Sequence, residues 1–256
     1  MLLAVTAPLS AVDVVAHRGF SARAPENTVA AFRLAWDHGA DACELDLHLT
    51  ADGGIAVLHD KDTKRTTGRS MFAAGTPLAD LRRLDAGSWK APEFAGEPIP
   101  SLAEALATLP PDHGHFLLEI KCGPEVVPEL ARQLEVWKPR ASQLRIIAFD
   151  RIAAREAKKA MPWIKVYRLS SELSRDKKPV DLDALIADTV ADGLDGLDLG
   201  LKWNWNGGLV RRVRAVGLEL HVWTVNKPED VRRMAELGVD SITTDDPAMA
   251  RSSLDK

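Results

Sequence analysis

The chain has 256 residues, 46% hydrophobic and 27% charged, with 33 Lys and Arg against 37 Asp and Glu for a net charge of −4. That balance excludes a disordered or repetitive polymer, and with no basic run carrying interleaved aromatics it argues against a nucleic-acid binder. No apolar stretch reaches the roughly 18 residues that suggest a membrane-spanning helix, so no stable membrane association is expected.

The first segment, Met1 to Ala11, is mildly apolar but has no Lys or Arg ahead of its short hydrophobic run, and it makes a poor signal peptide. Asp13 to Ala16 reads as a short strand that delivers His17-Arg18-Gly19 at its C-terminal end. Asn27 is a good N-cap for a helix over Thr28 to His38, and Gly39 supplies its stop. Glu26 and Asn27 thus read as loop and cap rather than chemistry.

The next strand, Cys43 to Leu49, carries the most information. Period-two geometry puts Glu44, Asp46 and His48 on one face and Leu45, Leu47 and Leu49 on the other. Two ionised carboxylates side by side in a low-dielectric site cost several kcal/mol unless a cation neutralises them. All-oxygen donors favour a hard divalent ion such as Mg²⁺ or Ca²⁺. On this strand alone, a solvent-facing acidic edge is the competing interpretation.

Asp52-Gly53-Gly54 is turn chemistry, and Ile55 to Leu58 runs into His59-Asp60. Residues 60 to about 100 break the pattern and read as an insertion, with one helix-like piece near Leu78 to Leu84. Ser101 and Glu104 form a capping box. A strand from His115 to Lys121 puts Glu119 and Lys121 on one face, and Gly123-Pro124 opens the following helix. Strands then recur near residues 144–149, 164–169, 196–199, 218–224 and 241–244, with helical segments between and after them. Eight β/α units predict an α/β fold, a closed (β/α)₈ TIM barrel forming a single domain over residues 1–256, with a small insertion after strand 2. The two cysteines, Cys43 and Cys122, read as isolated thiols that suit a reducing cytoplasm, with one disulfide as the alternative.

In such barrels the chemistry sits at the C-terminal ends of the strands. His17, Arg18, Glu44, Asp46, His59, Glu119, Lys121 and Trp223 are therefore read as neighbours. Three carboxylates, two imidazoles and two cations suit a metal, a phosphate and a proton-transferring pair. Trp223, at a strand mouth, either packs on the carbon face of a small substrate or fills the barrel, as His221 below it does. Trp203 and Trp205 share one loop at the active end, where two indoles suggest a substrate rim; the favoured reading is that they cover the barrel mouth or pack on the insertion.

The chain resembles the glycerophosphodiester phosphodiesterase family. The matching stretches are His17-Arg18-Gly19, Pro25-Glu26-Asn27-Thr28, Glu44-Leu45-Asp46, His59-Asp60, Arg65-Thr66-Thr67-Gly68, Ile99-Pro100-Ser101-Leu102, Glu119-Ile120-Lys121, Val222-Trp223-Thr224-Val225-Asn226 and Thr244-Asp245. They occur in family order, and the insertion corresponds to a small subdomain of that family. One departure is visible: Ala148 stands where the family usually has Ser before Phe149-Asp150.

The resemblance implies metal-dependent hydrolysis of small-molecule glycerophosphodiesters to sn-glycerol 3-phosphate and an alcohol, through attack of the adjacent glycerol hydroxyl and opening of a cyclic phosphate by water. Glu44, Asp46 and Glu119 would hold one divalent cation, with Mn²⁺ as a third candidate. Arg18 and Lys121 would bind the phosphate, Trp223 would contact substrate, and His17 and His59 would be the general acid/base pair. A lysophospholipase D acting on lysophospholipids and a non-catalytic phosphodiester-binding barrel are the rivals. Head group and oligomeric state are left open by the residues.

Overall fold

The computed structural model describes residues 12–255; the N-terminal segment read above as a poor signal peptide lies outside them. Nine strands run β1 (Asp13–Ala16), β2 (Ala42–Leu49), β3 (Ile55–Val57), β4 (His115–Ile120), β5 (Leu144–Ala148), β6 (Lys165–Ser170), β7 (Gly196–Gly200), β8 (Glu219–Trp223) and β9 (Ser241–Thr244). Eight of them pair in parallel and close, with β1 bonded to both β2 and β9. β3 is the exception: it pairs antiparallel with β2, Leu47 opposite Val57 and Leu49 opposite Ile55.

Alternation along the strands builds two layers. Leu45 and Leu47 of β2, Phe116 and Leu118 of β4, and Ile146 and Ala148 of β5 face outward and pack with Phe32, Leu102 and Leu130 from the surrounding helices. Val15, Ala42, Leu117, Ile147, Tyr167 and Leu169 pack inside the barrel. Because Ala148 lies in the outward set, the hydroxyl that the family usually carries there would face the helical layer and not the mouth.

Local chemistry sets the helix starts. Asp150 caps Arg151–Ala160 by accepting from Ala153 N at 2.8 Å, and Asn206 caps Gly207–Arg214 by accepting from Gly208 N at 2.8 Å. Ser101 and Glu104 form the expected capping box. The first helix corrects the sequence-based expectation: Val29–Asp37 is capped by Thr28, whose hydroxyl accepts from Ala31 N at 3.2 Å. Asn27 lies one residue earlier, in the left-handed region at φ 59°, and its side chain points elsewhere.

The segment from Leu58 to Ile99 has its own small core of Leu58, Ala73, Leu81, Leu84, Ala86 and Ile99, packed on Ala56 of β3. It is tethered to the barrel where Val57 N donates to Pro100 O at 2.9 Å and Leu58 N donates to Asp46 O at 3.0 Å. That second bond sets His59 beside the acidic face of β2. Cys43 and Cys122 are both free thiols, so the disulfide alternative does not hold. No helix among the described residues is long and apolar enough to cross a membrane.

Candidate active site

At the C-terminal mouth of the barrel, β2 and β4 bring Glu44, Asp46 and Glu119 together, as their period-two spacing requires. One carboxylate oxygen from each lies within 4.8 Å of the others, and all three residues are buried. Two cations border the cluster. Lys121 Nζ lies 2.9 Å from Glu119 Oε1 and 3.6 Å from Asp46 Oδ1, and Arg18 Nε lies 3.3 Å from Asp46 Oδ2. The main-chain N–H of Arg18 donates to Glu44 Oε2 at 3.0 Å.

That last bond depends on the His17-Arg18-Gly19 turn. Arg18 adopts φ 56° and Gly19 φ 76°. A Cβ on residue 19 would fall 2.6 Å from the Ala31 carbonyl carbon, so only glycine lets the turn pack on the first helix.

The electrostatics of the three acids differ. Burial, then the neighbouring Asp46 and Glu119 charges, push Glu44 well above the usual carboxylate range. Burial, with Asp46 next, pushes Glu119 up to about 7. Burial acts upward on Asp46 as well, but Arg18 and Lys121 outweigh it and hold this carboxylate low. Glu44 Oε1 and Asp46 Oδ1 are buried without a hydrogen-bond partner among the described residues. Two orphaned carboxylate oxygens within a cluster of three buried acids fit a hard divalent cation, which would complete their coordination.

The two imidazoles are held from opposite sides. His17 Nδ1 lies 2.6 Å from Asp245 Oδ1, and His59 Nδ1 lies 2.8 Å from Asp60 Oδ1. A carboxylate only accepts, so in both rings Nδ1 carries the proton and Nε2 is left for other work. Asp245 is itself held by Ser21 Oγ at 3.2 Å and Asn226 Nδ2 at 2.6 Å. Asp60 is held by Arg65 Nε at 2.6 Å, and Arg65 also grips Glu26 with both terminal nitrogens at 2.8 Å. Glu26 in turn accepts from Arg18 Nη1 at 2.9 Å. Burial, with the Arg18 and Lys121 charges adding, holds His59 below the ordinary imidazole range against the opposing pull of Asp46.

The eight sequence-predicted residues fall in one neighbourhood. His17, Arg18, Glu44, His59, Glu119, Lys121 and Trp223 line a cavity of about 280 Å³, with Asp46 buried directly behind. Trp223 is fixed in plane by donating Nε1 to Asp198 O at 3.1 Å, and Phe149 meets it edge-on with ring centroids 5.4 Å apart. His48 does not join the acids. It is buried and its Nε2 contacts the His59 main-chain oxygen at 3.2 Å, beneath the loop that carries that imidazole. His221 fills the barrel, with Nδ1 2.8 Å from Ser241 Oγ and its ring against Tyr167.

Two expectations need correction. Trp203 and Trp205 are not a substrate rim: they are 9% and 4% exposed, and their indole N–H groups donate to Ser170 O and Gly200 O at 3.1 Å. They pack with Leu199 and Leu209 in the second half of the outer core. Glu26 and Asn27 are site residues and not only loop and cap. Asn27 Nδ2 donates to Asp46 Oδ2 at 2.7 Å, and Asn27 Oδ1 accepts from Asp46 N at 3.2 Å. Asp198 and Thr243 also line the cavity; the only sequence signal is the place of Asp198 between Leu197 and Leu199 in a short strand, and Thr243 has none.

The profile of the glycerophosphoryl diester phosphodiesterase family matches residues 17–249. A glycerophosphodiester phosphodiesterase of Caldanaerobacter subterraneus subsp. tengcongensis is 34% identical over 238 residues, covering 91% of this chain and 94% of that protein. One from Bacillus subtilis is 31% identical, covering 91% and 83%. Among solved structures, an Oleispira antarctica phosphodiesterase in complex with the product sn-glycerol-3-phosphate is 30% identical, covers 95% of this chain and 97% of that one, and has a TM-score of 0.84. The chain therefore belongs to the glycerophosphoryl diester phosphodiesterase family and is a phosphoric diester hydrolase.

Proposed function

We propose that this chain hydrolyses glycerophosphodiesters to sn-glycerol 3-phosphate and an alcohol, in a reaction that depends on one divalent cation. The observation that carries this reading is the convergence of the buried Glu44–Asp46–Glu119 cluster with two carboxylate-held imidazoles on one cavity. The cation would be held by those three acids, and their all-oxygen donor set suits Mg²⁺, Ca²⁺ or Mn²⁺. When bound it supplies neutralisation of phosphate charge and Lewis-acid polarisation of a phosphoryl oxygen.

The chain's own groups do the remaining work. Arg18 and Lys121 line the same cavity and bind the phosphate, Arg18 through its planar fork and Lys121 as a point charge. Their carboxylate partners keep them in position before substrate arrives. His17 and His59 act as the acid/base pair through Nε2, since Nδ1 of each is engaged with Asp245 or Asp60. One imidazole removes the proton of the attacking glyceryl hydroxyl while the other, protonated at Nε2 as well, delivers a proton to the leaving alkoxide; water then opens the cyclic phosphate with the two roles exchanged, giving sn-glycerol 3-phosphate. Trp223 packs against the carbon face of the substrate. The barrel and its 60–100 segment act as a single domain, because Asp60 and Arg65 of that segment, with His59 just before it, complete the site. Two free thiols support a cytoplasmic location.

The reading is tested by measuring sn-glycerol 3-phosphate release from glycerophosphocholine, glycerophosphoethanolamine and glycerophosphoglycerol with each of the three cations. Release from at least one of them is expected. No release from any substrate with any cation would overturn the proposal.

A further inference from the structure

The active cavity has a neighbour on either side, and the two differ in charge. On one side His17 and Arg18 also line a cavity of about 540 Å³ whose wall carries Glu26, Asp245 and Asp246. Lys90, on that side, already donates to Ser21 O at 2.6 Å. On the other side Phe149 and Leu169 are shared with a groove of about 670 Å³ at the starts of helices Arg151–Ala160 and Leu182–Ala191. The carboxylates of this groove are committed. Asp150 caps the first helix, Asp181 caps the second by accepting from Asp183 N at 2.8 Å, and Asp188 pairs with Arg151.

Two guanidiniums in the groove, those of Arg168 and Arg175, pair with no carboxylate among the described residues. Arg168 stands on β6 between Tyr167 and Leu169, which face the barrel interior, so its side chain leaves on the outer side. It is half-buried, and its side chain makes one hydrogen bond among the described residues, to Ala148 O at 3.3 Å. Most of its five N–H donors are left free. Burial holds the Arg168 guanidinium below its ordinary range, outweighing the upward pull of Asp150 and the acids beyond it. Arg175 lines both this groove and a third cavity that includes Lys121, and Phe149 lines all three. Lys121 Nζ lies 6.0 Å from the Phe149 ring centroid. The phosphate-binding lysine and the free guanidiniums therefore share one aromatic wall.

We propose that Arg168 and Arg175 form a head-group subsite for a second anionic group, a carboxylate or a phosphate, carried on the alcohol portion of the substrate. The proposal rests on the phosphodiesterase reading and deepens it. With the phosphodiester at Arg18 and Lys121, a tethered anion meets three carboxylates on the Glu26 side and two unpaired guanidiniums past Phe149. The glyceryl unit is uncharged and common to every substrate, so only the alcohol can bring that second charge. Arg168 offers a partly desolvated planar fork that matches carboxylate and phosphate oxygens, and the exposed Arg175 adds attraction that salt screens. A neutral or cationic head group gains nothing from either.

Substrates matched except for one charge isolate the subsite. Glycerophosphoserine differs from glycerophosphoethanolamine by a carboxylate, and the terminal phosphate ester of glycerophosphoglycerol carries an anion one glycerol length further out. In the cation-loaded wild-type chain, kcat/KM should favour the charged member of at least one pair by about tenfold, the worth of one charge-assisted contact. Arg168→Gln, which can still donate to Ala148 O, should remove most of that ratio, and Arg175→Gln about threefold of it, with the uncharged member turned over as in wild type. Arg175→Glu, on an exposed loop, should bring the ratio below one. Ratios near one in both wild-type pairs would overturn the subsite, including the case in which the groove takes only free anions. A ratio that survives intact in Arg168→Gln, Arg175→Gln and Arg175→Glu would overturn it as well. In either case turnover of glycerophosphoethanolamine or glycerophosphoglycerol leaves the phosphodiesterase reading standing, whereas release from none of the four would remove both.

Discussion

The two imidazoles do the same job from unlike supports. His17 is held by Asp245, 228 positions away, at the seam where β1 meets β9, and Asp245 is braced by Ser21 and Asn226. His59 is held by its chain neighbour Asp60, on the inserted segment, and Asp60 is braced by Arg65, whose side chain is 44% exposed. One arm is built by closure of the barrel and the other by a local bend and short helix with a long-range strut to Glu26 and Arg18. Closure fixes an imidazole without any sequence-local signal, whereas the insertion fixes one locally; the bracing reaches solvent on both sides, at Asn226 and at Arg65.

That contrast predicts unequal responses. Asp245→Asn should lower kcat most, by about a hundredfold, because an amide facing Asn226 and Ser21 breaks their pattern and lets His17 turn. Normal turnover in this variant would remove the barrel seam from the mechanism. Asn27→Ala acts on the acid cluster between the arms and not on either imidazole. It removes two bonds to the buried Asp46 and should weaken cation affinity by about ten- to a hundredfold, read by metal titration. Asp60→Asn should cost about tenfold in kcat, and Arg65→Ala only a few-fold, since water replaces an exposed guanidinium more readily than a buried one. A larger loss in Arg65→Ala than in Asp245→Asn would reverse the comparison.

The smallest effect is on stability and carries a definite sign. Unfolded glutamate titrates near 4.3, but in the folded chain Glu119 is pushed up to about 7 by burial and then by Asp46, and Glu44 moves in the same direction. Between about pH 4.3 and 7 the folded metal-free protein therefore holds protons that the unfolded chain has lost. The contribution of these groups to stability falls as pH rises through that window. A bound cation replaces those protons, so the rise in Tm on adding it should grow between pH 5 and pH 8, by about 2–4 °C per kcal/mol gained. A rise independent of pH would place the cation elsewhere.

Much of the site was legible because strand periodicity is rigid. Glu44 and Asp46 had to share a face, Glu119 and Lys121 had to share another, and parallel pairing of β2 with β4 sets Asp46 beside Glu119. Asn27 was misread because an asparagine next to a helix start is a normal cap, and nothing local shows that the chain turns left-handed there and aims the amide at Asp46. The role of Trp203 and Trp205 stays open in the sequence because a loop position does not say which way an indole points. Arg65 and Asp245 belonged to recognised stretches, but their roles depend on contacts across the fold. Asp198 and Thr243 needed the cavity itself to be seen.

The most direct test of the central claim is turnover of His17→Ala and His59→Ala measured beside their cation affinities. The account predicts that each variant binds the cation as wild type does while kcat falls about a hundredfold or more. Near-wild-type turnover in either, or loss of the cation together with activity, would contradict it.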